Sequence, residues 1–419
     1  MDFNDSPQEA AFRKEVRAWI DANAPKHLEP ELKRASFGSS GLTSEDPIKA
    51  AKAWQKKKAD AGWACLHWPK EYGGGARTPM ERVIWNQEEG VYSTLSGPFT
   101  IGHGMCGPTV MAWASEEQKR ELLPPLANGE EIWCQLFSEP ASGSDLAGLR
   151  TRAVPAEDGS GDWIINGQKI WTSGAHNSDW GLLIARTDPN VPKHKGLTMF
   201  FLSMKSPGVE VRPIKQANGA SEFNEVYFTD VRIPAAQRLG DVGQGWAVSL
   251  TTLMNERLSI GSGMSTGFPE LFDYCAKVEV DGKPAIRDRG VQSRLAQYAV
   301  RQSGLKYTAM RSLTALSKGE MPGPENSIGK LVAGATMQDI AMYALDLQGQ
   351  AGVLRKGENS ENGRFQSILL RSPATRIEGG SDEILRNIIG ERVLGLPGDI
   401  RVDKDVAFKD IPTSGRSKS

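Results

Sequence analysis

Three stretches of the chain collect residue types that do chemistry when they converge. Gln135-Leu136-Phe137-Ser138-Glu139-Pro140-Ala141-Ser142-Gly143-Ser144-Asp145 is rich in turns, main-chain N–H groups and hydroxyls, fit to hold a polar ligand. A plain surface loop has the same composition. Ile170-Trp171-Thr172-Ser173-Gly174 ends an extended run with a large aromatic beside two hydroxyls. An indole so placed either stacks on a flat cofactor or fills a core. Glu378-Gly379-Gly380-Ser381-Asp382-Glu383 precedes Ile384-Leu385-Arg386-Asn387. Its glycine pair lets the backbone approach a ligand closely, then feeds a helix N-terminus that favours anions.

Other patterns fail. Gly261-Ser262-Gly263 follows no strand and lies in a helical pattern, so small residues at a helix–helix contact explain it better than a dinucleotide loop. Between Gly323 and Gly329-Lys330 stand five residues, one too many for a phosphate loop, and Leu331 replaces the required Ser or Thr. The chain has neither H-E-x-x-H nor G-x-S-x-G. His103, in Ile101-Gly102-His103-Gly104, has no partner in sequence and reads as structural. Cys65, Cys106, Cys134 and Cys275 lack the C-x-x-C spacing of a zinc or redox site and are too few and scattered to resemble a disulfide framework, and no metal site is expected.

The elements that carry these stretches follow from length and periodicity. A chain of 419 residues has room for two to four domains. Lys plus Arg total 50 against 51 Asp plus Glu, a net charge of −1 that argues against a nucleic-acid binder. No run nears the roughly 18 apolar residues of a membrane span, and Met1–Asp5 lacks the basic start of a targeting segment. A soluble, cytoplasmic protein is expected. Phe12, Val16, Trp19 and Ile20 recur at helical spacing. Thr78-Pro79-Met80-Glu81 is a capping box opening a helix to about Glu89. Ser115-x-x-Gln118 opens another, with a break expected at Pro124-Pro125 and a stop at Asn128-Gly129. From Ile132 to Leu239 the texture turns to strands. Asn166-Gly167 predicts a tight hairpin between Trp163–Ile165 and Gln168–Trp171. Further strands are predicted at 196–204, 209–213 and 225–233. After Gly243-Gln244-Gly245 the helical period returns, with segments at 245–276, 289–318, 326–354 and 380–394.

Together the three stretches resemble the acyl-CoA dehydrogenase family over roughly residues 5 to 397. Phe223-Asn224-Glu225-Val226-Tyr227-Phe228-Thr229-Asp230-Val231-Arg232-Ile233-Pro234, Gly243-x-Gly245-Trp246 and Glu391-Arg392-Val393-Leu394-Gly395 carry the same resemblance. The resemblance implies an α+β multidomain fold: an N-terminal α-helical domain (1–132), a middle β-barrel (133–239) and a C-terminal four-helix bundle (240–397). Residues 398–419 would form a loosely held polar tail. It also implies FAD, bound between bundle and barrel and shared across a dimer interface. By motif, Phe137 and Ser138 resemble residues lining the flavin ring, and Ser144 a contact to acyl-CoA. Trp171 resembles the tryptophan on the flavin face, and Ser173 the hydroxyl near its hydride-accepting nitrogen. Ser381 and Glu383 resemble contacts to the FAD diphosphate and adenosine end. Gly349 resembles the glycine that meets the neighbouring subunit's FAD. The family's Arg-x-x-Phe-Gly motif is absent; Ala285-Ile286-Arg287-Asp288 stands there, leaving Arg287 as its stand-in.

The implied reaction takes a proton from the α-carbon of a thioester while the β-hydrogen leaves as hydride. It needs a carboxylate base in a dry pocket and donors to the thioester oxygen. Aligning Glu383-Ile384 with the family's Gly-Thr-Ser-Glu-Ile puts Gly379 at one familiar base position, with Glu378 one residue away. Asn255-Glu256-Arg257-Leu258 resembles the Glu-Arg-Leu of isovaleryl- and long-chain acyl-CoA dehydrogenases, whose base lies there. Glu256 is therefore the expected base, Arg257 a contact to CoA, the Gly379 N–H a donor to the thioester oxygen, and Glu378 the fallback. Without that family context, a Glu-Arg pair is ordinarily a solvated helix-face couple. Electron-transfer flavoprotein is the implied acceptor, in a homotetramer or dimer. An oxygen-using oxidase or monooxygenase, and a non-catalytic subunit of a heteromer with a paralogue, stay open. A small residue at 379 leaves room for a branched or bulky acyl group such as a sterol side chain or an aromatic acid.

Overall fold

Side-chain caps decide where the first helices begin. In the computed structural model, which describes residues 5–35, 40–261, 265–317, 323–355, 357–400 and 403–412, Ser6, Thr78 and Ser115 each close a reciprocal capping box. The N-terminal helices are α1 (Pro7–Asn23), α2 (Glu29–Leu32), α3 (Pro47–Asp60), α4 (Pro79–Glu89), α5 (Gly107–Trp113) and α6 (Glu116–Ala127). Phe12, Val16 and Ile20 form the buried stripe of α1 and join Trp54, Trp63 and Trp85. The expected break at Pro124-Pro125 does not occur. Both prolines fall in the last turn of α6, where Leu122, Leu123, Leu126 and Ala127 are buried, and the helix ends beside Gly129 at φ +81°. Burial of that apolar face outweighs the two missing N–H groups. His103 Nε2 donates to the Leu126 carbonyl (2.8 Å) and its ring stacks on Phe99. Burial lowers its pKa to about 4, so it is a neutral structural histidine.

The middle region is one eight-stranded, mostly antiparallel sheet. Its strands are β1 (Trp133–Leu136), β2 (Arg152–Pro155), β3 (Trp163–Ser173), β4 (Trp180–Arg186), β5 (Leu197–Ser203), β6 (Val209–Pro213), β7 (Phe223–Ile233) and β8 (Arg238–Leu239). They run in the order β6-β7-β3-β2-β4-β5-β8, with β1 parallel beside β4. The expected hairpin at Asn166-Gly167 is absent: β3 passes straight through it. Asn166 exchanges hydrogen bonds with Asp230, and the register against β7 shifts between Ile165 and Gly167. A Cβ on Gly167 would stand 2.7 Å from the Thr151 Cα. The glycine therefore serves a bulge and a close backbone approach rather than a turn.

Contacts divide the chain into two compact units. The first holds residues 1–215, 221–255 and 399–419, and the second holds 216–220 and 256–398. Within the first, Trp68, Leu126, Trp133, Leu182, Met199 and Val248 share one core, so helices and sheet are continuous there. Val248 belongs to α7 (Gly245–Gly261), whose Thr252 hydroxyl also meets that of Thr109 at 2.9 Å. The second unit contains α8 (Phe268–Lys277), α9 (Arg289–Ser317), α10 (Ser327–Gln348), α11 (Arg364–Thr375) and α12 (Asp382–Ile388). Leu271, Tyr298, Ile340, Ala344 and Phe365 form its core. The segment expected as one helix over 245–276 is two. Helix α11 was not expected from the sequence, because its buried positions include Gln366, Arg371, Ser372 and Thr375, which erase the apolar period. The tail expected to be loose is docked: Phe408 is buried and its N–H donates to Val191 O.

Candidate functional site

A buried ion pair sets the loop after β1. Lys169 faces inward from β3 with no exposed surface, and its ammonium donates to Phe137 O and Glu139 Oε1, both at 2.9 Å. Glu139 also accepts the N–H groups of Arg150 (2.6 Å) and Thr151 (2.9 Å). Burial alone would raise its pKa, but the Lys169 charge and these donors hold it below the ordinary value. Burial pulls the Lys169 pKa down, against the opposing charge of Glu139. The main chain of Phe137 and Ser138 is thereby fixed, and Ser138 O accepts from the Ile170 N–H at 2.9 Å. Phe137 is buried, Ser138 half-buried, and Ser144 exposed at the loop's outer edge.

Trp171 breaks the sheet's regularity. Its φ is +60°, its side chain is 55% exposed, and the β3–β7 register slips between Lys169 and Thr172. A tryptophan in left-handed backbone costs about 1–2 kcal/mol and persists only where surrounding structure imposes it. The bulge turns the indole outward, with an edge contact to Phe223, while Thr172 points into the core and half-buried Ser173 follows on the outer face.

In the second unit, Gly379 and Gly380 have φ +62° and +95°, backbone that a side chain would strain. Among the described residues no acceptor pairs with the Gly379 N–H. Lys330, buried in α10, donates to Gly380 O at 2.5 Å. Burial lowers the Lys330 pKa, and the carboxylates of Asp382, Glu378 and Glu256 act against that shift. The ammonium thus bonds the glycine turn and lies in the field of both candidate bases. Glu378 accepts two hydrogen bonds from Arg371, at 3.0 and 2.8 Å. Glu256 is half-buried on α7. Asp382 pairs with Arg376 at 2.7 Å. Ser381 caps the seven-residue α12, its hydroxyl accepting from Ile384 N, and Glu383 is exposed.

Two further expected residues, Gly349 and Arg287, lie in the second unit. Gly349 ends α10 at φ +55° with open space where a Cβ would be. Arg287 is exposed at the end of a turn whose Ala285 is buried, and it has no ion pair among the described residues. The side chain of Arg257 and the Ser262-Gly263 stretch lie outside the described residues. Sequence reasoning missed Lys169 and Lys330 as organisers. The available signal was a lysine at an inward position of an alternating strand, and another inside an apolar helix.

The three successive regions match three family models: acyl-CoA dehydrogenase N-terminal domain over residues 6–130, middle domain over 134–231 and C-terminal domain over 243–394. The chain is also 37% identical over 404 residues to acyl-CoA dehydrogenase IpdE1 of Mycolicibacterium smegmatis, covering 93% of this chain and 98% of that one. This chain belongs to the acyl-CoA dehydrogenase family. It is an oxidoreductase acting on acyl-CoA, in a flavin-dependent family. Among solved structures, the Tcur3481-Tcur3483 steroid ACAD aligns with TM-score 0.78 and 26% identity over 95% of this chain and 100% of that one. The ChsE4-ChsE5 complex from Mycobacterium tuberculosis aligns with TM-score 0.77 and 28% identity, covering 95% and 100%. Among the described residues no helix is long and apolar enough to cross a membrane.

The first unit's residues fit a flavin. An exposed indole forced outward, a hydroxyl two residues on, and a main chain pinned at Phe137-Ser138 offer a flat apolar plane beside polar atoms.

Proposed function

We propose that the chain catalyses FAD-dependent α,β-dehydrogenation of an acyl-CoA thioester to the 2-enoyl-CoA, with Glu256 as the base. The observation that carries this reading is Glu256 itself, half-buried in the Glu256-Arg257-Leu258 run of α7 and within the field of the Lys330 ammonium that bonds the glycine turn. Glu256 takes the α-proton, and the Gly379 N–H donates to the thioester oxygen as charge develops there. FAD, when bound, accepts the β-hydrogen as hydride. Phe137, Ser138, Trp171 and Ser173 serve its ring, and Ser381 and Glu383 its diphosphate and adenosine end. Ser144 and Arg257 serve the CoA portion, and Gly349 and Arg287 the FAD of a neighbouring subunit. Electrons pass to an electron-transfer flavoprotein.

The substrate proposed is a bulky, ring-bearing acyl-CoA. Glycine at 379 in place of a carboxylate leaves space near the reacting carbons, and one solved relative is titled a steroid ACAD. A second reading has specific support: two solved relatives pair different chains, Tcur3481 with Tcur3483 and ChsE4 with ChsE5, so this chain would act within a heteromer with a paralogue.

The test is anaerobic mixing with straight, branched and ring-bearing acyl-CoAs while flavin absorbance is followed. Wild type should bleach with the ring-bearing class. Glu256→Gln should slow bleaching about 10³- to 10⁴-fold with flavin retained, and Glu378→Gln by less than about tenfold, the scale of one weakened hydrogen bond to Arg371. Equal loss in both variants, or loss only in Glu378→Gln, removes Glu256 from the role. Flavin that never bleaches points to oxygen chemistry. A chain that holds no flavin alone, but bleaches when mixed with a paralogue, supports the heteromer.

A further inference from the structure

Residues 403–412 lie beyond the family match, which ends at residue 394, yet they are built into the first unit. Phe408 N–H donates to Val191 O (2.9 Å) and Lys409 N–H to Pro189 O (3.0 Å), while Ala407 bridges Pro192. The Phe408 ring is 9% exposed and lies 3.5 Å from the Arg186 guanidinium, measured to its centroid. That guanidinium donates to Ala147 O (2.5 Å), Leu149 O (3.2 Å) and Lys193 O (2.9 Å). Lys193, in turn, shares one ammonium between Asp145 (3.0 Å to each oxygen) and Asp403 (2.6 Å).

We infer that the tail segment Asp403–Phe408 is a strap that positions the Asp145–Leu149 loop for acyl-CoA, with Phe408 and Asp403 as its positioning residues. The inference rests on the reading of Ser144 as an acyl-CoA contact. Its physical basis is double. A ring over the guanidinium face excludes water from a group whose edge holds the loop's carbonyls, which strengthens those bonds. The second tie is Lys193: Asp403 fixes an ammonium that also grips Asp145, next to Ser144. Both ties run from tail to loop without touching the flavin-ring residues Phe137 and Trp171. The strap should therefore govern substrate affinity and leave flavin content and the chemical step alone.

The flavin-loaded full-length chain tests this with Phe408→Ala and Asp403→Asn. In Phe408→Ala, KM for the bleaching acyl-CoA should rise about tenfold with kcat within about twofold, the loss of one desolvated cation–π contact. Asp403→Asn should give a smaller rise, and Phe408→Trp should restore the wild-type KM. Hydrogen exchange at the Gly148 and Leu149 amides, which bond to Asp145 and Leu146 carbonyls, reads the loop without turnover. It should speed up in Phe408→Ala. Unchanged exchange overturns the strap. Faster exchange with unchanged KM overturns its role toward substrate. If wild type bleaches with no acyl-CoA, the functional reading fails and takes the substrate half of the inference with it, while the exchange result still decides whether the tail holds the loop.

Discussion

The loop after β1 and the glycine turn before α12 are both short polar segments, but they are held in opposite ways. The loop is fixed by charge sealed inside the fold: Lys169 and Glu139 satisfy each other and three main-chain groups, with almost no exposure. The turn is fixed by backbone, two consecutive positive φ values, with one ammonium on a carbonyl. A sealed pair has spent its charge on position and has none left for a reacting atom. Around Lys330 the carboxylates of Glu256 and Glu378 are half-buried rather than sealed. On the proposed reading the first region is scaffold for the cofactor and the second supplies the base.

If that contrast holds, breaking the sealed pair should damage the fold most. Lys169→Met leaves Glu139 buried without its countercharge and should cost about 3–5 kcal/mol of unfolding free energy in denaturant titration. Adding Glu139→Gln should recover part of the loss, because removing both charges is milder than orphaning one. A Lys169→Met protein within about 1 kcal/mol of wild type would mean the pair positions nothing.

The glycine turn should respond in the other sense, in rate before stability. Gly379→Ala forces a Cβ into φ +62°. Left-handed strain of about 1–2 kcal/mol is partly offset by a stiffer unfolded chain, so the net destabilisation should be about 1 kcal/mol. Relaxing that strain moves the Gly379 N–H, and kcat should fall about 10²-fold, the effect of misplacing a group near the reacting atoms by roughly 1 Å. Stopped-flow bleaching and denaturant titration on one preparation separate the two effects. A rate loss no larger than the stability loss would deny the turn its place in the chemistry.

The order helix, sheet, helix was legible because each region keeps one hydrophobic period, and the capping boxes at Thr78 and Ser115 gave helix starts to the residue. What failed were local signals overruled by tertiary contact. Asn166-Gly167 spells a turn, but Asp230 and Thr151 recruit it into a strand bulge. Pro124-Pro125 spells a break, but the leucines around it are needed in the core. In the site, the motif residues were visible and their organisers were not. Lys169 and Lys330 act through partners 30 and 50 residues away, a pairing that no spacing rule encodes.

Trp171 sharpens the comparison with the smallest effect, because on the proposed reading it is where the sheet's scaffold meets the flavin. More than half of its side chain is exposed, so its removal loses little packing, while its φ of +60° carries strain. Asparagine tolerates that backbone better than tryptophan. Trp171→Asn should leave the flavin-free protein as stable as wild type or more stable by up to about 1 kcal/mol. The same change should weaken flavin binding by about tenfold, the scale of one aromatic stacking contact. Thermal unfolding of flavin-free protein and fluorescence titration with FAD give the two numbers. Opposite signs identify strain kept for a ligand. If both stability and affinity fall, the bulge is part of the scaffold after all, and Trp171 belongs with Lys169 rather than with the chemistry.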